Sequence, residues 1–310
     1  MNGGLIPTEH WYYSMWDAAH GFAAAFRGNV QLSSIAIPGI GDGIPVRSGR
    51  VGIMILLKAL GVQPGAEVAV PLYSCPVVFR AVNAGGYRIR FIDVNQGGYC
   101  MSVADLSRKK RNLGATIGIH MFGHICDAAR SGEFDFPVIE DCAQAIGSLA
   151  DGKYAGSTGS GSVFSFRSGK YLSVGEGGAV RCRMDLDRRR VETLIDTLQG
   201  PNVVARSMHV ARTYVRTKLR SRPLYGLMGK RLWNTYNATV DYQSKSPIEM
   251  SKALESDVQM ARNRIRSLPE TIARQRTLAR YYLEGLTLPA EYLSYERAGQ
   301  VLNRYVFPIL

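Results

Sequence analysis

The chain has 310 residues, is 46% hydrophobic and carries a formal net charge of +13. That length fits one large domain with a smaller appendage, and that apolar share excludes a disordered or fibrous chain. No uncharged apolar run reaches the roughly 18 residues of a membrane span, and Met1–His10 lacks the basic-then-apolar order of an export signal, so a cytoplasmic protein is expected.

Near the N-terminus Trp11, Tyr12, Tyr13 and Trp16 read as core or subunit-contact aromatics. Ser48 caps a predicted helix through Val51, Ile53, Met54, Leu57 and Leu60, which Gly61 ends. "EVAVP" is a short strand, "VVFRAVNAG" a helix closed by glycines, and "YRIRFIDV" an alternating strand. "ATIGIHMFG", "PVIEDC", "SVFSF" and "GAVRC" are further strands, several nearly continuously apolar, as in a sheet covered on both faces. "LADGKYAG" reads as a hairpin turning at Asp151-Gly152. The alternation predicts an α/β fold with a largely parallel sheet. Residues 201–245 break this rhythm, and a long helical pattern from Ser246 to Leu286, interrupted at Pro269, follows. The closing "RYVFPIL" reads as a strand entering a further domain that is cut short.

Cys75, Cys100, Cys126, Cys142 and Cys182 are odd in number and scattered, and none forms a C-x-x-C pair. That opposes a disulfide framework or a zinc site. "GIGDG" at 39–43 and the glycines at 156–161 do not make a dinucleotide fingerprint.

Four stretches carry candidate chemistry. In "VIEDC", Glu140 and Asp141 end an apolar strand, where α/β sheets place ligand-binding groups. They read as helix-capping or arginine-pairing acids. A buried aspartate has a second use: keeping a proton on a heteroaromatic nitrogen, as pyridoxal phosphate requires. In "FSFRSGKYLSVGEGG", Lys170 reads as a solvated turn charge, or as an amine forming a Schiff base with an aldehyde cofactor. Ser165 is placed to donate to a phosphate, and Gly175, Gly177 and Gly178 admit close backbone approach. In "RSGRVG", Gly49 ahead of a helix reads as an ordinary helix start or a phosphate site. His120 and His124 lie four apart in a strand-to-turn context, which does not favour a metal pair, and no metal is expected.

"EVAVPLYSCPVVFRAVNAGGYRIRFIDV", "IGIHMFG", "VIEDCAQAIGS" and "SVFSFRSGKYLSVGEGGAV" together resemble the DegT/DnrJ/EryC1/StrS aminotransferases over roughly residues 45–185. The resemblance implies the type I pyridoxal-phosphate fold: a mixed, mostly parallel sheet between helices in a large domain at 1–245. Helices at 246–310 would lead into a truncated small domain. It implies Lys170 as the Schiff-base lysine, Asp141 on the pyridine nitrogen and Gln144 beside the ring. Ser165, Gly49 and Arg50 would hold the phosphate, and Cys75 takes the place of a ring-stacking aromatic. Lysine rather than histidine at 170 points to a transaminase and not a sugar dehydratase. The implied reaction is amination of a keto sugar, nucleotide-linked, by glutamate or glutamine in a homodimer, for polysaccharide or glycosylated-metabolite synthesis.

The sequence departs from the family pattern at Cys75 and Arg50, and no Asn-x-Arg motif precedes "MSKALE". Two rival readings stay open: a non-catalytic binding or regulatory module, and a pyridoxal-phosphate enzyme acting on an amino acid. The stretch Pro201–Val240 holds eight basic residues and no acid. It reads as a solvated surface, a diphosphate clamp or a docking segment for an anionic membrane, since Leu224, Tyr225, Leu227, Met228, Leu232 and Trp233 alternate with basic residues. No nucleic acid is expected as a partner.

Overall fold

The computed structural model describes residues 12–27, 34–130, 134–221, 224–226, 248–289, 293 and 295–309. An eight-stranded sheet organises them, in the order β1 (Ile35–Ile37), β2 (Gly41–Val46), β10 (Gly178–Cys182), β9 (Gly161–Ser165), β6 (Val138–Asp141), β5 (Leu113–Ile119), β3 (Glu67–Pro71), β4 (Arg88–Ile92). From β4 to β9 every pairing is parallel, while β10, β2 and β1 continue the sheet antiparallel. β5 and β6 are almost wholly buried, as continuously apolar strands covered on both faces should be. β4 lies at the edge, where Arg88 and Arg90 oppose pairing with another chain.

Successive side chains of a strand point to opposite faces, and the core divides accordingly. Val163 and Val180 face one cluster with α2 (Gly49–Ala59), α3 (Pro76–Ala84) and α5 (Asp185–Asp196). Their neighbours Phe164 and Ala179 face the other cluster, which includes Val210 and Val258. Val210 lies on α6 (Val203–Leu219) and Val258 on α7 (Glu255–Ile265). α1 (Met15–Arg27) packs against α6 and α7, α4 (Val103–Lys109) lies against β4, and α8 is Leu268–Gly285. No helix among the described residues is long and apolar enough to cross a membrane.

The expected helix after Ser48 forms, and Val51 N donates to the Ser48 hydroxyl at 3.3 Å. The expected hairpin also forms: β7 (Leu149–Ala150) pairs with β8 (Lys153–Tyr154) across Asp151 and Gly152, both at positive φ.

Three expectations change. The start of the basic segment is not irregular but is the helix α6, capped by Asn202, whose Oδ1 accepts from Ala205 N at 2.9 Å. Its inward face uses Val210, Thr213 and Thr217, too few apolar residues to show a period. The long helical pattern from 246 resolves into α7 and α8; residues 248–254 are not helical, and Pro269 sits in the first turn of α8. The strand expected near Arg304 is instead β11 (Gln300–Val301), which joins β7 in a small second sheet. Arg304 itself has φ 58°, between Asn303, which bonds to the turn after β6, and Tyr305, which bonds to Gly169 O.

Gly178 fixes how closely β10 approaches α2. A Cβ there would lie 2.4 Å from Phe164 O and 3.2 Å from Gly49 N. Gly178→Ala should therefore lower stability by about 2 kcal/mol through a backbone shift, read as a lower midpoint in chemical denaturation. An unchanged midpoint would show that the strand can move without cost.

Candidate active site

The C-terminal ends of the parallel strands open into a cavity of about 290 Å³. Gly49, Arg50, Cys75, Asp141, Gln144, Ser165 and Lys170 all line it, so the seven residues singled out in the sequence meet in one place. They come from four separate pieces of chain: the start of α2, the N-cap of α3, the end of β6 with the turn after it, and the end of β9 with its following loop.

One end of the cavity suits an anion. Ser48 caps α2, Gly49 and Arg50 are its first residues, and Ser165 Cβ would lie 3.5 Å from a Cβ at Gly49. A helix N-terminus offers backbone donors and a favourable dipole there. Arg80 and Arg167 line the same cavity. Burial, together with Arg80, Arg167 and Arg47, lowers the pKa of Arg50, and Glu176 opposes that effect. Glu176 forms an ion pair with the buried Arg47. No local motif signals that Arg80, Arg167 and Arg216 converge here, because they lie far apart along the chain.

Lys170 projects from a loop that folds back on itself. Ser168 N donates to Gly175 O at 3.0 Å, Val174 N to Phe166 O at 3.0 Å, and Ser173 N to Lys170 O at 3.1 Å. The sharp reversal uses Gly175 at φ 119° and Gly177 at φ 106°. Residues from the end of the chain complete this wall. The Lys170 Nζ lies 5.1 Å from the centre of the Tyr305 ring. The Tyr305 hydroxyl donates to Gly169 O, and the Tyr171 hydroxyl to Asn303 O. Asn303 is itself anchored, with Nδ2 donating to Gln144 O and Ile146 O at 3.0 Å each. Neither Asn303 nor Tyr305 is identifiable from a local motif, since each acts across more than a hundred residues.

Asp141 and Glu140 are neighbours with opposite duties. Asp141 Oδ1 accepts from Ala143 N at 2.9 Å. Burial raises its pKa, against the hydrogen bond from Ala143 and the charges of Lys170 and His120. Glu140 neither caps a helix nor pairs with an arginine. It accepts from Gly156 N at 2.9 Å, Thr158 N at 2.7 Å and Gly159 N at 2.6 Å, and contacts His120 Nε2 at 2.9 Å. Burial would raise its pKa, but the bonds from His120 and the backbone prevail and hold it at about 2. Cys126 N donates to His120 Nδ1 at 2.9 Å, so the ring proton sits on Nε2 and points to Glu140.

These bonds also decide the metal question for His120, Glu140 and Cys142, whose ligand atoms lie within 4.8 Å of one another. Both nitrogens of His120 and both oxygens of Glu140 are already engaged. His124 instead sets its ring 5.3 Å from that of Tyr99, and burial lowers its pKa to about 4. Gln144 Oε1 accepts from Phe122 N at 3.0 Å, holding a residue at the left-handed φ of 55° beside the cavity. Cys75 is exposed and all five cysteines are free thiols. Of the N-terminal aromatics, Tyr13 is buried, Tyr12 and Trp16 are exposed, and Trp11 lies outside the described residues. So do Arg222, Leu227, Met228, Lys230, Arg231, Leu232 and Trp233.

The model of the DegT/DnrJ/EryC1/StrS aminotransferase family matches residues 36–203, more than half of the chain. GDP-perosamine synthase of Escherichia coli O157:H7 is 38% identical over 140 residues, covering 44% of this chain and 38% of that protein. The chain thus aligns with about two-fifths of the length of this curated relative. The structure of DesI with its TDP-sugar product superposes with a TM-score of 0.70 at 19% identity, covering 98% of this chain and 71% of that one. Spr1654 from Streptococcus pneumoniae in its PLP form gives 0.69 at 15% identity, covering 97% and 77%. At these identities the two structures share the fold.

The paired acids yield a signed prediction. Glu140 has a depressed folded pKa, so its contribution is present above the ordinary carboxyl range and lost as pH falls towards about 2. Asp141 has a raised one, so folded-state stability falls as pH rises through that pKa. At neutral pH, Glu140→Gln should cost about 3 kcal/mol, while Asp141→Asn should raise the melting temperature of the protein without cofactor. The gain from Asp141→Asn should vanish at acid pH. Destabilisation by Asp141→Asn at neutral pH would contradict the burial argument.

Proposed function

Because the chain belongs to the DegT/DnrJ/EryC1/StrS aminotransferase family, we propose that it is a pyridoxal-phosphate-dependent aminotransferase. It would transfer an amino group from glutamate or glutamine to a keto sugar carried on a nucleotide. The observation that carries this reading is the convergence of Lys170, Asp141, Ser165 and the N-terminus of α2 on one cavity. The nucleotide follows the names of its relatives, GDP-perosamine synthase and DesI with a TDP-sugar.

The residues fit the cofactor. The start of α2, the Arg50 guanidinium and the Ser165 hydroxyl form a donor set suited to a phosphate. Asp141 is a buried carboxylate that burial disfavours in its charged form, and a protonated ring nitrogen would add a positive partner within the cavity. Bound there, pyridoxal phosphate supplies an electron-withdrawing ring that stabilises negative charge on the reacting carbon.

The chain's own groups do the rest. Lys170 would hold the cofactor through its amine, and that amine, once free, would serve as proton acceptor and then proton donor. Asp141 would keep a proton on the ring nitrogen. Gln144, oriented by the bond from Phe122 N, would lie beside the ring. Cys75 contributes a polarisable thiol to the wall. Arg80 and Arg167, which also line the cavity, are the guanidinium groups we assign to the donor's carboxylate. A homodimer is the assembly we propose for the active protein.

An absorbance spectrum with added pyridoxal phosphate tests this. The wild type should show a visible band that Lys170→Ala lacks and that glutamate bleaches, and Lys170→Ala should lose at least about a hundredfold in amino transfer. Asp141→Asn should keep the band but slow the bleaching. A band unchanged in Lys170→Ala, or none in the wild type, would overturn the reading.

A further inference from the structure

Helices α1 and α6 lie side by side and are locked together. Gly21 on α1 lets Val210 on α6 come close, a Cβ there meeting the valine methyls at 3.1 Å. Arg206 Nε donates to Ala25 O at 2.8 Å, stapling the start of α6 to the end of α1. Tyr13 and Val210 are buried between them and the sheet.

Their outer faces are unusual for a charged protein. Met15, Trp16 and Phe26 stand out from α1, with Trp16 75% and Phe26 72% exposed. Val204, Met208 and Val215 stand out from α6. Val204, Met208 and Val215, at i, i+4 and i+11, line one side of α6, and Met15 and Phe26, three turns apart, share one side of α1 with Trp16 beside Met15. The cations Arg27, Arg212 and Lys218 are exposed on the same two helices. α6 contains no acid, and the one acid of α1, Asp17, turns inward to Ser14 N at 2.8 Å and to Arg264 at 3.5 Å.

We infer that this two-helix face docks on an anionic lipid bilayer, with α1 and α6 lying in the plane of the headgroups. Exposed tryptophan, phenylalanine and methionine suit the boundary between headgroups and acyl chains, and basic side chains beside them meet the lipid charge. Charge decides against a second copy of this chain as occupant. A two-fold contact through this face would set the acid-free α6 near its own copy, like charge against like. Stripes of valine and methionine on a convex helix also offer no platform on which nucleic-acid bases stack.

The test is co-sedimentation of the full-length protein with phosphatidylglycerol–phosphatidylcholine vesicles and with phosphatidylcholine vesicles alone. Wild type should partition onto the anionic vesicles only, and high salt should release it. Removing two cations, Arg212→Ala with Lys218→Ala, should weaken partitioning roughly thirtyfold. Trp16→Ser with Phe26→Ser should also abolish pelleting. Both double variants should keep the pyridoxal-phosphate band and the wild type's oligomeric state by light scattering. No wild-type binding, equal binding to neutral vesicles, or unchanged binding by both variants would overturn the inference. Dissociation of an oligomer by the Trp16 and Phe26 changes would overturn it too, by making the face a self-interface.

Discussion

The carboxylate of Glu140 is the constraint on which the site rests. It is fully buried, and four donors converge on it: three backbone amides of residues 156–159 and the imidazole of His120. Those bonds clamp the end of β6 between the loop that leads into β9 and the turn that leaves β5. Alternation along the strand then sends the next side chain, Asp141, the opposite way and into the cavity. A buried, solvated-by-protein anion beside a buried, more sparsely solvated one is a division of labour: the first holds the frame, and the second, held by one amide and the charges of Lys170 and His120, faces the cavity where a ligand can meet it.

Around that frame, backbone closeness matters as much as side-chain chemistry. Gly178 brings β10 against the N-terminus of α2, Gly175 lets the Lys170 loop reverse without a side chain striking α6, and Gly177 supplies a positive φ to the same reversal. A Cβ at Gly175 would lie 2.9 Å from Thr213 Oγ1, so the helix read in the sequence only as a run of positive charge forms the backing of the lysine loop. The final residues then close the wall from the other side, with Asn303 tying the chain end to the turn after β6 and Tyr305 facing Lys170.

Features that announce themselves locally were legible in the sequence. The continuous apolar strands, the Asp-Gly hairpin, the serine-capped α2 and the lysine among glycines each carry their cause within a few residues. The seven singled-out residues share the cavity because they sit at strand ends and helix starts, positions that topology brings together. What stayed hidden has a physical reason in each case. α6 buries threonines instead of a clear apolar stripe. The role of Glu140 depends on amides, which sequence composition does not display. Arg80, Arg167, Asn303 and Tyr305 act through the tertiary fold, and the bend at Arg304 hides in a non-glycine residue at positive φ.

The central claim is that Lys170, and no other of the chain's lysines, is the cofactor's covalent partner. Borohydride reduction of the protein with pyridoxal phosphate, followed by mass spectrometry of its peptides, tests this directly. The adduct should fall on the peptide containing Lys170, and Asp141→Asn should not move it elsewhere. An adduct spread over surface lysines, or centred on a lysine outside the cavity, would contradict the assignment of the site.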